Sequence, residues 1–311
     1  MKKVVNLLCL CAFIALTSFK SHNILNAIPS AASFTMSLCK TGHGSEVQSG
    51  DLYNNGSKIG NVIALNRSSQ HVKAKYFAFK QNGTSVHDRY DSWRSGKSVV
   101  LISSGAYATG FNNTDLPVGL TLDYGNEVNR NLDNTMDGLI IVEDVGGVRV
   151  TNIKDGDLKI IYSGTKQEKT INVNDPLQKA EFMRWCADEK ATVFQTHLLI
   201  YKNQLKFTRS YGGSASERKL LVLTKDRSGS VVHFIIYSRD QQFSLYDMAN
   251  SSLQMLSSNG YDVIAAVNLD TGGLDILSTS TELYDCSNNS IQGTKNSDRR
   301  SMTNMLAYYY Q

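Results

Sequence analysis

The sequence has 311 residues, 41% hydrophobic and 19% charged, with 32 Lys and Arg against 28 Asp and Glu for a net charge of +4. That length suits one large domain or two small ones, and three prolines with no low-complexity tract exclude a linker-rich, multi-module architecture. The excess positive charge comes partly from the first residues, and no Lys/Arg block carries interleaved aromatics, so no nucleic acid partner is expected.

The chain opens with MKKVVNLLCLCAFIALTSF, two lysines before an apolar run from Leu7 to Leu16 that Lys20 and His22 close. This is the pattern of a signal peptide, placed over residues 1–27 with its end open. The run is shorter than the ~20 residues of a membrane span. The expectation is an exported protein, periplasmic or extracellular, with no stable membrane span in the mature chain. Cys9 and Cys11 lie inside or before the apolar run, which speaks against a lipid anchor on either.

Residues 33–311 are expected to form a single domain whose part from 33 to 100 is β-rich. There GNVIALNR, HVKAKYFAFK and KSVVLISS read as strands, separated by Ser68-Ser69 and by Asn82-Gly83. The Gly- and Asn-rich segment from Ser104 to Asn131 reads as ordered loop around a short strand, Val118 to Leu122. GLIIVED and DLKIIYS are further strands. Asp175-Pro176 supplies an N-cap and a proline at the first helical position, predicting a helix near 176–190. TVFQTHLLIYKNQLKF then reads as a strand, a tight Lys202-Asn203 turn and a short return strand. RKLLVLTKD and SVVHFIIYS flank a hairpin turn at Arg227-Ser228-Gly229. Ser244 with Asp247 caps a helix striped with Leu245, Met248, Ala249, Leu253 and Leu256, which Asn259-Gly260 ends. The fold class is therefore α+β, with a mixed, mostly antiparallel β-sheet core and a few packed helices.

Three cysteines, Cys39, Cys186 and Cys286, follow the signal region without CxxC spacing or a histidine cluster, so no zinc site is expected. A bridge between Cys186 and Cys286, or three unpaired thiols, both fit the pattern.

The next strand, VIAAVNLDTGGLDIL, runs from Val263 into a carboxylate and a Gly-Gly turn. Strand alternation sends Val267 and Leu269 to one face and Asn268 and Asp270 to the other. Gly272 and Gly273 allow a ligand to approach the backbone, and Asp275 follows within reach. Asp270 and Asp275 offer oxygens of the kind calcium uses, yet no metal or other cofactor is implied. Asp270-Thr271-Gly272 also matches the local signature of aspartic proteases. That chemistry needs a second such motif or a small homodimerising domain, and only about forty residues follow. No GxSxG, GxxxxGK[ST] or HExxH pattern occurs. His197 stands out among the scattered histidines because it follows Gln195 at the same parity. Arg218 opens a strand, and Arg299-Arg300 precede the last apolar run.

Several of these pieces, in this order, resemble the phosphodiester glycosidase family over roughly Ser98 to the C-terminus. The family's Asn-Gly-Gly-Tyr-Phe turn is matched by Ser104-Gly105-Ala106-Tyr107-Ala108, and its Pro-x-Gly-Leu strand by Pro117-Val118-Gly119-Leu120. A glutamine-led strand is matched by QTHLLIYKN, and arginine-led and apolar strands by RKLLVLTKD. Asn-Leu-Asp-Gly-Gly-Gly-Ser is matched by Asn268 to Leu274, and a late arginine before a terminal strand by Arg300 before NMLAYYY. Ser104, Ala106, Ala108, Thr271 and Leu274 depart from the family residues, which bears on substrate choice.

The resemblance implies a phosphodiester glycosidase-like fold and cleavage of a sugar-1-phosphodiester at the glycosidic bond, releasing free sugar and a phosphomonoester. Asp270 is the candidate nucleophile, stabiliser or base. Asn268 and Gln195 orient sugar hydroxyls, His197 is an acid or base, and Tyr107 stacks on the sugar ring. Arg218 or Arg300 stabilises the leaving phosphate, with Ser104, Gly272, Gly273 and Asp275 as further substrate contacts. The expected partner is a carbohydrate or sugar-phosphate substrate, with oligomeric state open. The competing expectations are a noncatalytic glycan- or cell-envelope-binding protein on the same scaffold, and a structural exported protein without a small-molecule site.

Overall fold

Runs rich in Val, Ile, Thr, Tyr and Phe, cut by Asn, Gly and Ser turns, build strands along nearly the whole chain. The computed structural model describes residues 32–41, 43–78, 83–109, 116–156, 158–272, 276–280, 282–293 and 299–311. The expected signal peptide, Gly273, Leu274 and Asp275 lie outside the described residues. In chain order the first elements are β1 Phe34–Thr41, β2 Gly44–Asn54, β3 Ser57–Asn66, β4 Val72–Phe77, α1 Val86–Arg94, β5 Ser98–Ser103, β6 Thr121–Asp123 and β7 Asn126–Asn129. There follow β8 Gly138–Val142, β9 Val148–Asn152, β10 Leu158–Ile161, β11 Glu168–Ile171, α2 Pro176–Asp188, β12 Thr192–Thr196, β13 Leu198–Tyr201 and β14 Gln204–Leu205. The last are β15 Ser216–Lys225, β16 Val231–Phe243, α3 Leu245–Ser258, β17 Asp262–Leu269, β18 Leu277–Thr279 and β19 Met305–Tyr310.

The strands form an eight-stranded sheet, order β1-β2-β3-β16-β15-β17-β13-β14, a five-stranded sheet, β7-β6-β12-β8-β9, a four-stranded sheet, β18-β5-β19-β4, and the hairpin β10-β11. One face of the eight-stranded sheet carries Phe234, Ile236 and Ala266 against Met248, Ala249, Met255 and Leu256 of α3. Its other face sends Tyr237, Val267 and Leu269 into a core shared with Tyr76, Phe194 and Tyr308, where the Tyr76 and Phe194 rings stack at 4.3 Å. Each such side chain contributes about 1.5–3 kcal/mol when fully buried. Phe182 and Trp185 of α2 cover the five-stranded sheet, and Val86 and Tyr90 of α1 cover the four-stranded one. Among the described residues no helix is long and apolar enough to cross a membrane.

Several expectations are refined. The β16–α3–β17 crossover suggested a mixed sheet, but β15 lies between the two strands and pairs with both antiparallel; every pairing among the described residues is antiparallel. The helix α1 falls in the stretch read as mainly β. Its signal was present, since Ser85 caps it by accepting from the Asp88 N–H. The single strand expected over 192–201 is two strands in different sheets, parted at His197. Finally, the bridge is Cys39–Cys286, with Cys186 a free buried thiol under α2. The helix register that seats Cys186 beside Phe182 and Trp185 aims it into the core, away from Cys286.

Candidate active site

The carboxyl ends of β5 and β17 meet. The Asp270 N–H donates to Gly105 O at 3.0 Å, and Ser104 Oγ donates to Asp270 O at 2.7 Å. Two segments far apart in sequence, SGAYA and NLDTG, are thereby joined, once backbone to backbone and once through the Ser104 hydroxyl. Gly105 cannot carry a side chain here, because a Cβ would stand 2.6 Å from Tyr76 Cε2. Asn304 fixes the same turn, accepting from the Gly105 N–H at 3.1 Å and donating to Ala106 O at 2.9 Å. On the other side of the junction, the Gly272 N–H donates to Asp270 Oδ1 at 2.8 Å and Thr271 Oγ1 to Glu217 O at 3.1 Å. Asp270 is 7% exposed, so the opening expected at this carboxylate is narrow.

Beneath the junction lies a residue that sequence reading missed. Lys219 of β15 is fully buried, with Nζ 2.7 Å from Ser104 Oγ and 2.9 Å from Ile276 O. A buried ammonium is costly unless hydrogen-bonded, so its placement fixes Ser104, and Ser104 in turn holds Asp270. The alternation of RKLLVLTK puts Lys219 on the same face as Leu221 and Leu223, an inward-facing charge in an apolar strand that could have signalled it.

Above the junction, a cavity of about 730 Å³ is lined by Tyr107, His197 and Arg218 together with Asp137, Lys154 and Lys206. His197 enters it because the chain leaves the five-stranded sheet at that residue. Thr196 Oγ1 donates to Asn268 O at 2.6 Å, and the Asn268 N–H donates to His197 O at 3.0 Å. The His197 and Tyr107 rings meet edge to face at 5.5 Å. Asn268, fully buried, donates through Nδ2 to the Tyr107 hydroxyl, which keeps its own proton to give. Among the described residues, the buried Asn268 Oδ1 has no hydrogen-bond partner. An orphaned buried amide oxygen costs about 1–3 kcal/mol.

Burial holds the Tyr107 phenol well above its ordinary range, and the Asp270 charge acts in the same direction while Arg218 opposes it. Burial also lowers Arg218, which stays cationic at neutral pH and donates to Phe243 O and Ser214 O. The His197 imidazole is pushed below its ordinary 6.5 by burial, against the Thr135 backbone and the charges of Asp133 and Asp137. Lys154 pairs with Asp137 at 2.8 Å, and Lys206 lies 4.0 Å from Asp155.

Asn268, Asp270, Ser104 and Gly272 belong to the junction and are not among the residues that line the cavity, and two further candidates sit elsewhere. Gln195 is fully buried and has its whole amide engaged: Oε1 accepts from the Leu120 and Asp133 N–H groups at 3.0 Å each, and Nε2 donates to Asp133 O and Met136 O at 2.8 and 2.6 Å. It pins the loops beside the five-stranded sheet and has no capacity left to orient a sugar. Arg300 is exposed on a short turn packed against α1, where its charge lowers the Asp88 carboxyl, itself held down chiefly by Ser85. It does not line the cavity with Arg218.

The depressed His197 has a measurable signature. Its folded value lies below its unfolded one, so the unfolded chain takes up the proton first and stability falls as pH drops below about 6.5. His233, buried against Tyr308 at 3.0 Å and also lowered by burial, adds in the same direction. Denaturant melts from pH 8 to 5 are expected to show that loss, with the His197→Gln variant losing less; a flat profile for both proteins would contradict a neutral His197.

No family model matches the sequence, and no curated protein matches it. Solved structures do. The catalytic domain of zebrafish N-acetylglucosamine-1-phosphodiester alpha-N-acetylglucosaminidase, auto-inhibited by its pro-peptide, is 11% identical with a TM-score of 0.46, over 90% of this chain and 83% of that one. A hypothetical protein from Synechocystis is 12% identical with a TM-score of 0.45, over 91% of this chain and 69% of that one. At scores this low neither neighbour assigns an activity to this chain.

Proposed function

We propose that the protein is an exported hydrolase that cleaves a sugar-1-phosphodiester at the glycosidic bond, releasing a free sugar and a phosphomonoester. The observation that carries this is the meeting of Tyr107, His197 and Arg218 in one cavity, with Asn268 holding the Tyr107 hydroxyl from behind. The order of motifs that resembles the phosphodiester glycosidases supports the same reading. Water adds to the anomeric carbon as the bond from that carbon to the phosphate oxygen breaks, and the electron pair leaves with the phosphate. The water proton passes to His197, whose imidazole burial holds below its ordinary range. Arg218 balances the charge gathering on the leaving group. Tyr107, oriented by Asn268, holds a sugar hydroxyl, and the Asp270 charge favours the oxocarbenium-like centre that forms. The export half of the proposal rests on the signal-like N-terminus and on the bridge between Cys39 and Cys286, which suits an oxidising compartment.

The test is a panel of sugar-1-phosphodiesters, with released reducing sugar and phosphomonoester measured together. Equimolar appearance of both supports the proposal, and phosphate-side cleavage, which yields a sugar phosphate instead, overturns it. One observation favours a second reading. Asp270 is nearly covered and already accepts from Gly272, as a residue of a noncatalytic glycan-binding protein would. Saturable binding of an envelope glycan with no product formed selects that reading.

A further inference from the structure

Tyr211 is 82% exposed and lines the cavity mouth, yet its position is closely set. It ends the short turn Arg209–Tyr211, in which the Tyr211 N–H donates to Thr208 O at 3.0 Å and the Gly212 N–H to Arg209 O at 3.1 Å. That turn is fastened to the start of α3. The Leu245 N–H donates to Gly212 O at 2.7 Å, Arg209 pairs with Asp247 at 2.8 Å, and its guanidinium lies 5.5 Å over the Tyr246 ring. Gly212 lets the backbone press flat on the helix, since a Cβ there would sit 2.7 Å from Tyr246 Cβ. The backbone, not packing of its own ring, therefore holds Tyr211, and folding gains almost nothing from this aromatic group. Leu177, 83% exposed on α2, has similar exposure but does not line this cavity.

The same cavity carries Lys154 and Lys206, and its 730 Å³ lies within the ~300–1,000 Å³ range of drug-sized ligands, more than one sugar ring fills. We propose that Tyr211 is a stacking platform for a saccharide next to the one cleaved. The substrate class is then a chain of sugar-1-phosphate repeats rather than a single sugar phosphodiester, with Lys154 and Lys206 facing the phosphates between repeats. The apolar C–H face of a sugar ring suits an exposed tyrosine face, and an ammonium suits the phosphate. This rests on the reading given under Proposed function for what the cavity holds.

The test compares binding of a synthetic single hexosyl-1-phosphodiester and of a chain of four hexosyl-1-phosphate repeats by calorimetry. The mature wild-type protein, Tyr211→Ala, Tyr211→Trp and Leu177→Ala are used, with Asp270→Asn added to each to slow turnover and the probes checked for intactness after each titration. The four-repeat chain is expected to bind wild type more tightly than the single unit by about tenfold, the size of effect one aromatic contact gives. That advantage should vanish in Tyr211→Ala and persist in Tyr211→Trp and Leu177→Ala. Equal affinity for both probes, no binding of either, or an advantage that survives Tyr211→Ala overturns the platform. Retained preference for the chain, together with an absence of turnover by the protein carrying Asp270, would sink the hydrolase reading while sparing this one.

Discussion

The Asp270→Asn protein is expected to lose on the order of 10²–10³-fold in kcat/KM on a sugar-1-phosphodiester while folding normally, the scale seen when one preorganised electrostatic group is removed. The substitution keeps size and shape. The backbone bonds that place the residue, from its N–H to Gly105 O and from Ser104 Oγ to its carbonyl, do not involve the carboxylate. An asparagine Oδ1 can still accept from the Gly272 N–H at the 2.8 Å position. What disappears is a negative charge that Tyr107 already senses, since Asp270 is among the causes that raise the Tyr107 phenol. The variant is expected to keep its fold, checked by denaturant melt, since the substitution creates no cavity. Unchanged turnover would remove Asp270 from the chemistry and leave the cavity to binding alone.

The same junction shows what could and could not be read from the chain. Asn268 and Asp270 were legible because strand alternation depends only on neighbours along the sequence, and β17 carries Val267 and Leu269 on the core side as that rule requires. The nearness of SGAYA to NLDTG was reachable only through resemblance, because β5 and β17 lie in different sheets and meet end to end. Gln195 and His197 share parity, and parity predicts a shared face only while the strand continues. The chain passes between sheets at His197, so the one residue clamps loops and the other faces the cavity. Arg218 and Arg300 could not be ranked by type, since side-chain chemistry is identical and only tertiary placement separates them. Tyr211, Lys154 and Lys206 come from loops and turns whose approach follows no periodicity.

A fixed scaffold explains how one polar atom at the junction can go unsatisfied among the described residues. Lys219 and Asn304 engage the turn after β5 from two sides, so Ser104 and Gly105 have little freedom, and Asp270 inherits that rigidity through two hydrogen bonds. Asn268 Oδ1 can then remain without a partner, a cost of a few kcal/mol at most that the surrounding core sustains.

Breaking the Cys39–Cys286 bridge is expected to cost about 2–5 kcal/mol, the range for removing a native disulfide. The two cysteines lie 247 residues apart, so the bridge closes nearly the whole described chain on itself, and loop entropy alone places the effect at the upper end of that range. Cys39 belongs to β1, an edge strand of the eight-stranded sheet, which among the described residues pairs only with β2. Cys286 lies in a loop held by Asp285, whose carboxylate meets Lys58 at 2.5 Å, while Lys58 also meets Asp51 of β2 at 2.6 Å. That ion pair persists after reduction and limits the loss, because the loop stays near the sheet. Denaturant melts of Cys39→Ser and of the wild type with reductant should agree, and both should fall below the oxidised protein. Thiol labelling separates the cause. A denatured, unreduced mature chain should show one reactive thiol, Cys186, and a reduced one three, whereas retention of the N-terminal segment would add Cys9 and Cys11 to each count. Equal melts with and without reductant would show that β1 is held by its sheet pairing and by Lys58, with the covalent link contributing nothing to stability.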